Sequence, residues 1–142
     1  MNCSQLYAGT DFELPEVQSE AFSVERVAAT DEGHSNLLRI CGTSHVYYLA
    51  PHTGCGCGWE YLGNDTEWDL RNLDSAQRLA TYLREQTSRG DILVLSSCSE
   101  TLSRTPDERA RLSVDAFLPQ FQAWRVRYST AYAKLVELTV GT

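Results

Sequence analysis

At 142 residues the chain is long enough for one domain with its own buried core, and 42% hydrophobic against 22% charged residues is a globular balance, not a disordered one. The net charge is −7, carried by residues 1–74, where three arginines face twelve acidic side chains; residues 75–142 hold nine basic and seven acidic ones. Such a chain repels phosphate backbones, so nucleic acid is not expected as a partner; the acidic half suits a basic protein partner or simply keeps the protein soluble. No apolar run approaches membrane-spanning length, so no membrane association is expected.

The start, MNCSQLYAGTDFELPE, lacks the basic segment and apolar run of a secretion signal. A cytoplasmic location with reduced thiols is therefore expected, and five cysteines, an odd number, fit that better than a disulfide framework. Residues 3–9 read as a first strand. Asp11 to Glu20, acidic and broken by Pro15, reads as a loop. Phe22 to Ala29 alternates weakly and reads as a strand, and Thr30 to Ser35 is turn chemistry that leaves His34 solvated.

Asn36 to Ile40 and Val46 to Ala50 read as two strands of a hairpin, rich in branched and aromatic residues. Gly42-Thr43-Ser44 would be the loop, with the glycine taking up positive φ. That pairing would set Cys41 opposite His45. The stretch from Cys41 to Trp59 also holds three of the five cysteines, two of the three histidines and four of the nine glycines. At about 3.3 Å per residue, the second strand separates Cys41 and His45 from His52, Cys55 and Cys57 by roughly 17 Å. Two clusters are therefore expected, not one.

The sharper of the two is His52-x2-Cys55-x-Cys57. Histidine and cysteine are good zinc ligands, and a tetrahedral site needs one more. The Cys-x-Cys spacing is shorter than zinc sites favour and also suits copper(I) or a dithiol pair. Buried small thiols in a glycine-rich turn are the plain alternative.

Trp59 to Leu62 reads as a strand and Trp68 and Leu70 as part of an acidic linker. A helix follows over about 75–88, with Asp74 as N-cap, Gln77 completing a capping box, and Ala76, Leu79, Ala80 and Leu83 on one apolar face. Gly90 is placed to end it in a left-handed cap. Ile92 to Leu95 is a short continuous apolar run, suited to a central strand covered on both faces. If it runs parallel to 46–50, Cys98 just past its end joins His52, Cys55 and Cys57 as the fourth ligand. If antiparallel, Cys98 emerges near Cys41 and His45.

Farther on, Leu112 closes a short edge strand and Ser113 caps a brief helix through Val114, Phe117 and Leu118. Phe121 to Tyr128 and Tyr132 to Val140 read as final strands, with a helix over 131–138 as the alternative. The expected fold is a single α+β domain over 1–142, its mostly antiparallel sheet covered on one face by the helix at about 75–88.

No stretch matches a P-loop, a dinucleotide-binding glycine turn, a nucleophile elbow or an HExxH helix. Three function classes fit these residues. The first is a non-enzymatic interaction protein, for which Tyr47, Tyr48, Trp59, Tyr61 and Trp68 supply aromatic anchors unless the core absorbs them. The second is a small zinc-binding domain using His52, Cys55, Cys57 and Cys98. The third is a thiol-dependent redox or nucleophilic enzyme using Cys55 or Cys57, with His52 as base.

Overall fold

In the computed structural model, residues 5–31, 33–59, 61, 63–97, 105–117 and 134–139 are described, without the side chains of Cys57 and Thr139. These residues form one sheet from β1 (Gln5–Thr10), β2 (Val17–Gln18), β3 (Phe22–Arg26), β4 (His45–Pro51), β5 (Ile92–Ser97), β6 (Glu108–Ser113) and β7 (Lys134–Thr139). The spatial order is β2-β3-β4-β1-β5-β7-β6. Neighbours are antiparallel except β6 and β7, which run parallel. The α+β class and the mostly antiparallel sheet are as expected, with one parallel pair making the sheet mixed.

Among the described residues, two helices of eight or more residues cover the sheet. α1 (His34–Cys41) buries Leu37, Ile40 and Cys41 against one face, together with Val46, Leu95 and Leu135. α2 (Glu67–Gln86) buries Ala76, Leu79, Ala80 and Leu83 against the other, together with Leu6, Leu49, Ile92 and Val94. The two-residue alternation of β5 thus feeds both cores, which is the covered central strand its apolar run implied.

α1 overturns the hairpin reading of 36–46. Two glycines in left-handed conformation bracket it, Gly33 at φ 88° and Gly42 at φ 66°, and the Gly42 N–H donates to the Leu38 carbonyl. Leu37, Ile40 and Cys41 fall at i, i+3 and i+4, so one helical face buries all three. Cys41 therefore ends a helix instead of facing His45 across a loop, and His34 opens that helix instead of sitting in a turn.

α2 begins eight residues earlier than expected. Its cap is Thr66, not Asp74: the Thr66 hydroxyl accepts from the Asp69 N–H at 3.1 Å. The presumed linker at Trp68 and Leu70 is helix. Gly90 is not in the left-handed region; it lies against the Phe12 ring, where an added Cβ would come within 2.9 Å of Cδ1. Gly56–Trp59 is a 3-10 turn instead of the start of a strand, and Trp59 is fully buried.

At the other end, Ser113 Oγ accepts from the Ala116 N–H at 3.2 Å and starts the expected helical turn over 114–117. β7 replaces the helical alternative over 134–139. The strand expected at Phe121 to Tyr128 lies outside the described residues. β4 and β5 are each antiparallel to β1, so they run parallel to each other, with β1 between them and α2 in their connection.

Candidate functional site

The first half of α2 builds the site. Its inner face is polar: Asp69, Asn72 and Ser75 are buried at three-residue intervals, where an ordinary amphipathic helix would place apolar side chains. Each holds a neighbouring segment. Asp69 Oδ2 accepts from the Asn64 N–H at 2.7 Å. Ser75 Oγ accepts from the His52 N–H at 3.2 Å and donates to the Ala21 carbonyl at 2.6 Å. Asn72 Oδ1 lies 2.6 Å from His52 Nε2. Buried polar groups of this kind are costly unless paired, so the pairing ties the loop after β4 to the helix.

His52 is thereby oriented from a distance. Taking Asn72 Oδ1 as the acceptor assigns the ring proton to Nε2 and the lone pair to Nδ1. The ring also meets Trp68 edge-on, with centroids 5.6 Å apart. The loop beyond is tightly folded. The Gly54 N–H donates to the Pro51 carbonyl, the Gly58 N–H to the Cys55 carbonyl, and the Tyr48 hydroxyl to the Gly54 carbonyl. Gly54 sits at φ 79°, and a Cβ on Gly58 would come within 2.4 Å of Thr53 Oγ1, so both glycines serve the loop's path.

Cys55 is partly exposed, its Sγ 3.9 Å from Thr53 Oγ1. The Cys57 backbone belongs to the 3-10 turn; its side chain and the whole of Cys98 lie outside the described residues. Among the described residues no three His, Cys, Asp or Glu side chains are grouped to hold a metal ion. The parallel β4 and β5 do bring the carboxyl ends that precede the cysteine loop and Cys98 to one sheet edge. With β1 between them those ends are two strand spacings apart, about 10 Å.

Cys41 is buried far from this loop, beside Gly9, and burial pushes its thiol up to about 12, against a smaller opposing pull from the Arg109 charge. It has no thiolate character at neutral pH. Of the five crowded aromatics, Tyr47 and Trp59 are core residues, while Trp68 stands 47% exposed.

An open groove of about 780 Å³ runs along the outer side of α2's first half, between it and the turn joining β2 and β3. Glu67, Leu70, Arg71, Asp74 and Arg78 line it from the helix, Ser19 to Ala21 from the turn, and His52 from the loop. Leu70 is 50% exposed in this lining, whereas Trp68, two positions back on the helix, points to a different face and does not line the groove. Sequence reasoning missed this groove because 67–73 lacks an inward apolar stripe. The available signal was Thr66-x-x-Asp69, a cap with an acidic residue in the first turn.

No family model matches the chain, and neither a curated protein nor a solved structure shows a similarity to it. Among the described residues no helix is long and apolar enough to cross a membrane.

Proposed function

We propose that this protein is a non-enzymatic interaction module whose docking surface is the groove on the first half of α2, filled by a peptide segment of a protein partner. The observation that carries this reading is Leu70, half exposed in the groove's lining on a helix whose buried side there is polar. A large apolar residue turned outward into a groove from a well-anchored helix suits an interface anchor. The polar clamp from Asp69, Asn72 and Ser75 supports the same reading, since it fixes the groove walls before a partner arrives. The test is photo-crosslinking in cells from a benzophenone amino acid placed at Leu70 or at Gln77, an exposed position on the second half of α2. A discrete protein adduct from Leu70 and none from Gln77 is the expected result. Equal labelling from both positions would defeat the proposal.

A second reading has one observation in its favour. A histidine that ligates metal commonly donates its other ring N–H to an oxygen acceptor, and Asn72 offers His52 that acceptor. On this reading His52 Nδ1, Cys55, Cys57 and Cys98 would hold zinc. Elemental analysis of untagged protein purified without chelator tests it: about one equivalent of zinc is required, and none would remove it.

A further inference from the structure

We infer that the sheet face bearing α1 carries a small-molecule site, which holds a ligand ending in a carboxylate or phosphate group and bearing a short apolar body. The site is separate from the groove on α2 and goes beyond the docking function. α1 is only eight residues long, and its core reaches no farther across the sheet than Leu95 and Leu135. Beyond it, toward β6, lies a pocket of about 310 Å³ lined by Leu93, Leu135, Arg109, Arg111 and Glu137. That volume suits a small ligand. Register gathers these residues: Leu135 pairs with Leu95 and Arg109, and Glu137 with Leu93 and Arg111. Leu135 is buried and Leu93 partly buried, so the pocket has an apolar floor. Val114 and Phe117, where the chain leaves β6, belong to the core on the other face.

The two arginines supply the charge. Arg109 and Arg111 lie two residues apart on β6, so their side chains leave the same face about 7 Å from one another. Among the described residues Arg109 has no ion-pair partner, and Arg111 meets Glu137 only at 3.9 Å, with 70% and 36% of the two side chains exposed. So long and wet a pair contributes little, which leaves both guanidinium groups available. The Cys41 thiol, raised by burial at the end of α1, feels the Arg109 charge as the opposing influence, so that charge acts across this face. In a chain of net charge −7, the pocket thus sets two cations against one carboxylate. Guanidinium groups hold carboxylates and phosphates through paired N–H donors. The leucine floor favours a ligand with an apolar body over a bare ion.

The test is a nitrogen-15 NMR titration of the full chain with hexanoate, hexyl phosphate, inorganic phosphate and hexylammonium at physiological salt. Hexanoate or hexyl phosphate should shift the amides of Leu93, Arg109 to Arg111 and Leu135 to Glu137 saturably, and the tighter of the two identifies the head group. Inorganic phosphate should bind roughly tenfold more weakly than hexyl phosphate, and hexylammonium should not bind there. Arg109→Gln should weaken the tighter anion by roughly tenfold and Arg111→Gln by about threefold, whereas Arg109→Lys should keep part of the affinity. Glu137→Gln should strengthen binding by about twofold, because a like charge leaves the pocket. Arg84→Gln, on α2 at the other face of the sheet, should change nothing. No saturable shift at these amides with either anion would overturn the inference. So would equal effects of Arg109→Gln and Arg84→Gln, equal binding of inorganic and hexyl phosphate, or binding of hexylammonium in the pocket. The Leu70 crosslink reads the α2 groove alone, so neither test decides the other.

Discussion

The two halves of α2 follow opposite rules. From Ala76 to Leu83 the helix is ordinary: Ala76, Leu79, Ala80 and Leu83 are buried on the sheet, and Gln77, Arg78 and Thr81 face water. From Glu67 to Ser75 the pattern inverts, with Asp69, Asn72 and Ser75 buried and Trp68 and Leu70 exposed. The apolar half stabilises by area removed from water. The inverted half gains little that way and instead spends its inner face on hydrogen bonds that hold His52, Asn64 and the turn before β3. The inverted half thus stabilises through fixed polar contacts and not through a dry inner face.

The largest effects should come from the apolar half. Leu79→Ala or Leu83→Ala should each cost about 2 to 5 kcal/mol in urea denaturation, the range for emptied core leucine sites. A loss under about 1 kcal/mol at both would place the core elsewhere.

Alkaline pH should act on the dry side as well. Cys41 ionises near 9 in an ordinary setting but is pushed up to about 12 by burial, and burial likewise raises Tyr82 above its ordinary 10. Between pH 9 and 12 the unfolded thiol has lost its proton and the folded one has kept it. Stability should therefore fall as pH rises through that window, at up to about 1.4 kcal/mol per pH unit for one group. Cys41→Ala should flatten the start of that decline in denaturation curves taken at successive pH values. An unchanged slope would mean Cys41 is not buried.

The inverted half should respond differently. Asn72→Ala should cost about 1 to 3 kcal/mol, because His52 loses its partner in a buried setting. Amide exchange should then quicken through 51–59 and not through 92–97; uniform quickening would mean Asn72 is merely a core residue. Thr66→Ala should cost about 1 kcal/mol through the lost cap. Smallest of all, Trp68→Ala should change stability by under about 0.5 kcal/mol. A large stability loss there would show that Trp68 belongs to the core.

The split between the halves also explains what the sequence revealed. The strands were legible where branched and aromatic residues cluster, as at 46–50 and 92–95, and the buried pair Leu79 and Leu83 followed from helical spacing. α1 was not, because Leu37, Leu38 and Ile40 satisfy a short strand as well as a helix; the flanking left-handed glycines decide it. The first two turns of α2 were hidden because their inward residues are polar. Within the site, His52 and Cys55 stood out by residue type. Asn72, twenty positions away, became visible only once the helix was folded against the loop.

The most direct measurement is fluorine NMR of protein labelled with fluorotryptophan, with a soluble paramagnetic probe. The account predicts that Trp59 is protected from the probe while Trp68 is broadened by it. A protected Trp68 resonance, or a broadened Trp59 resonance, would contradict it.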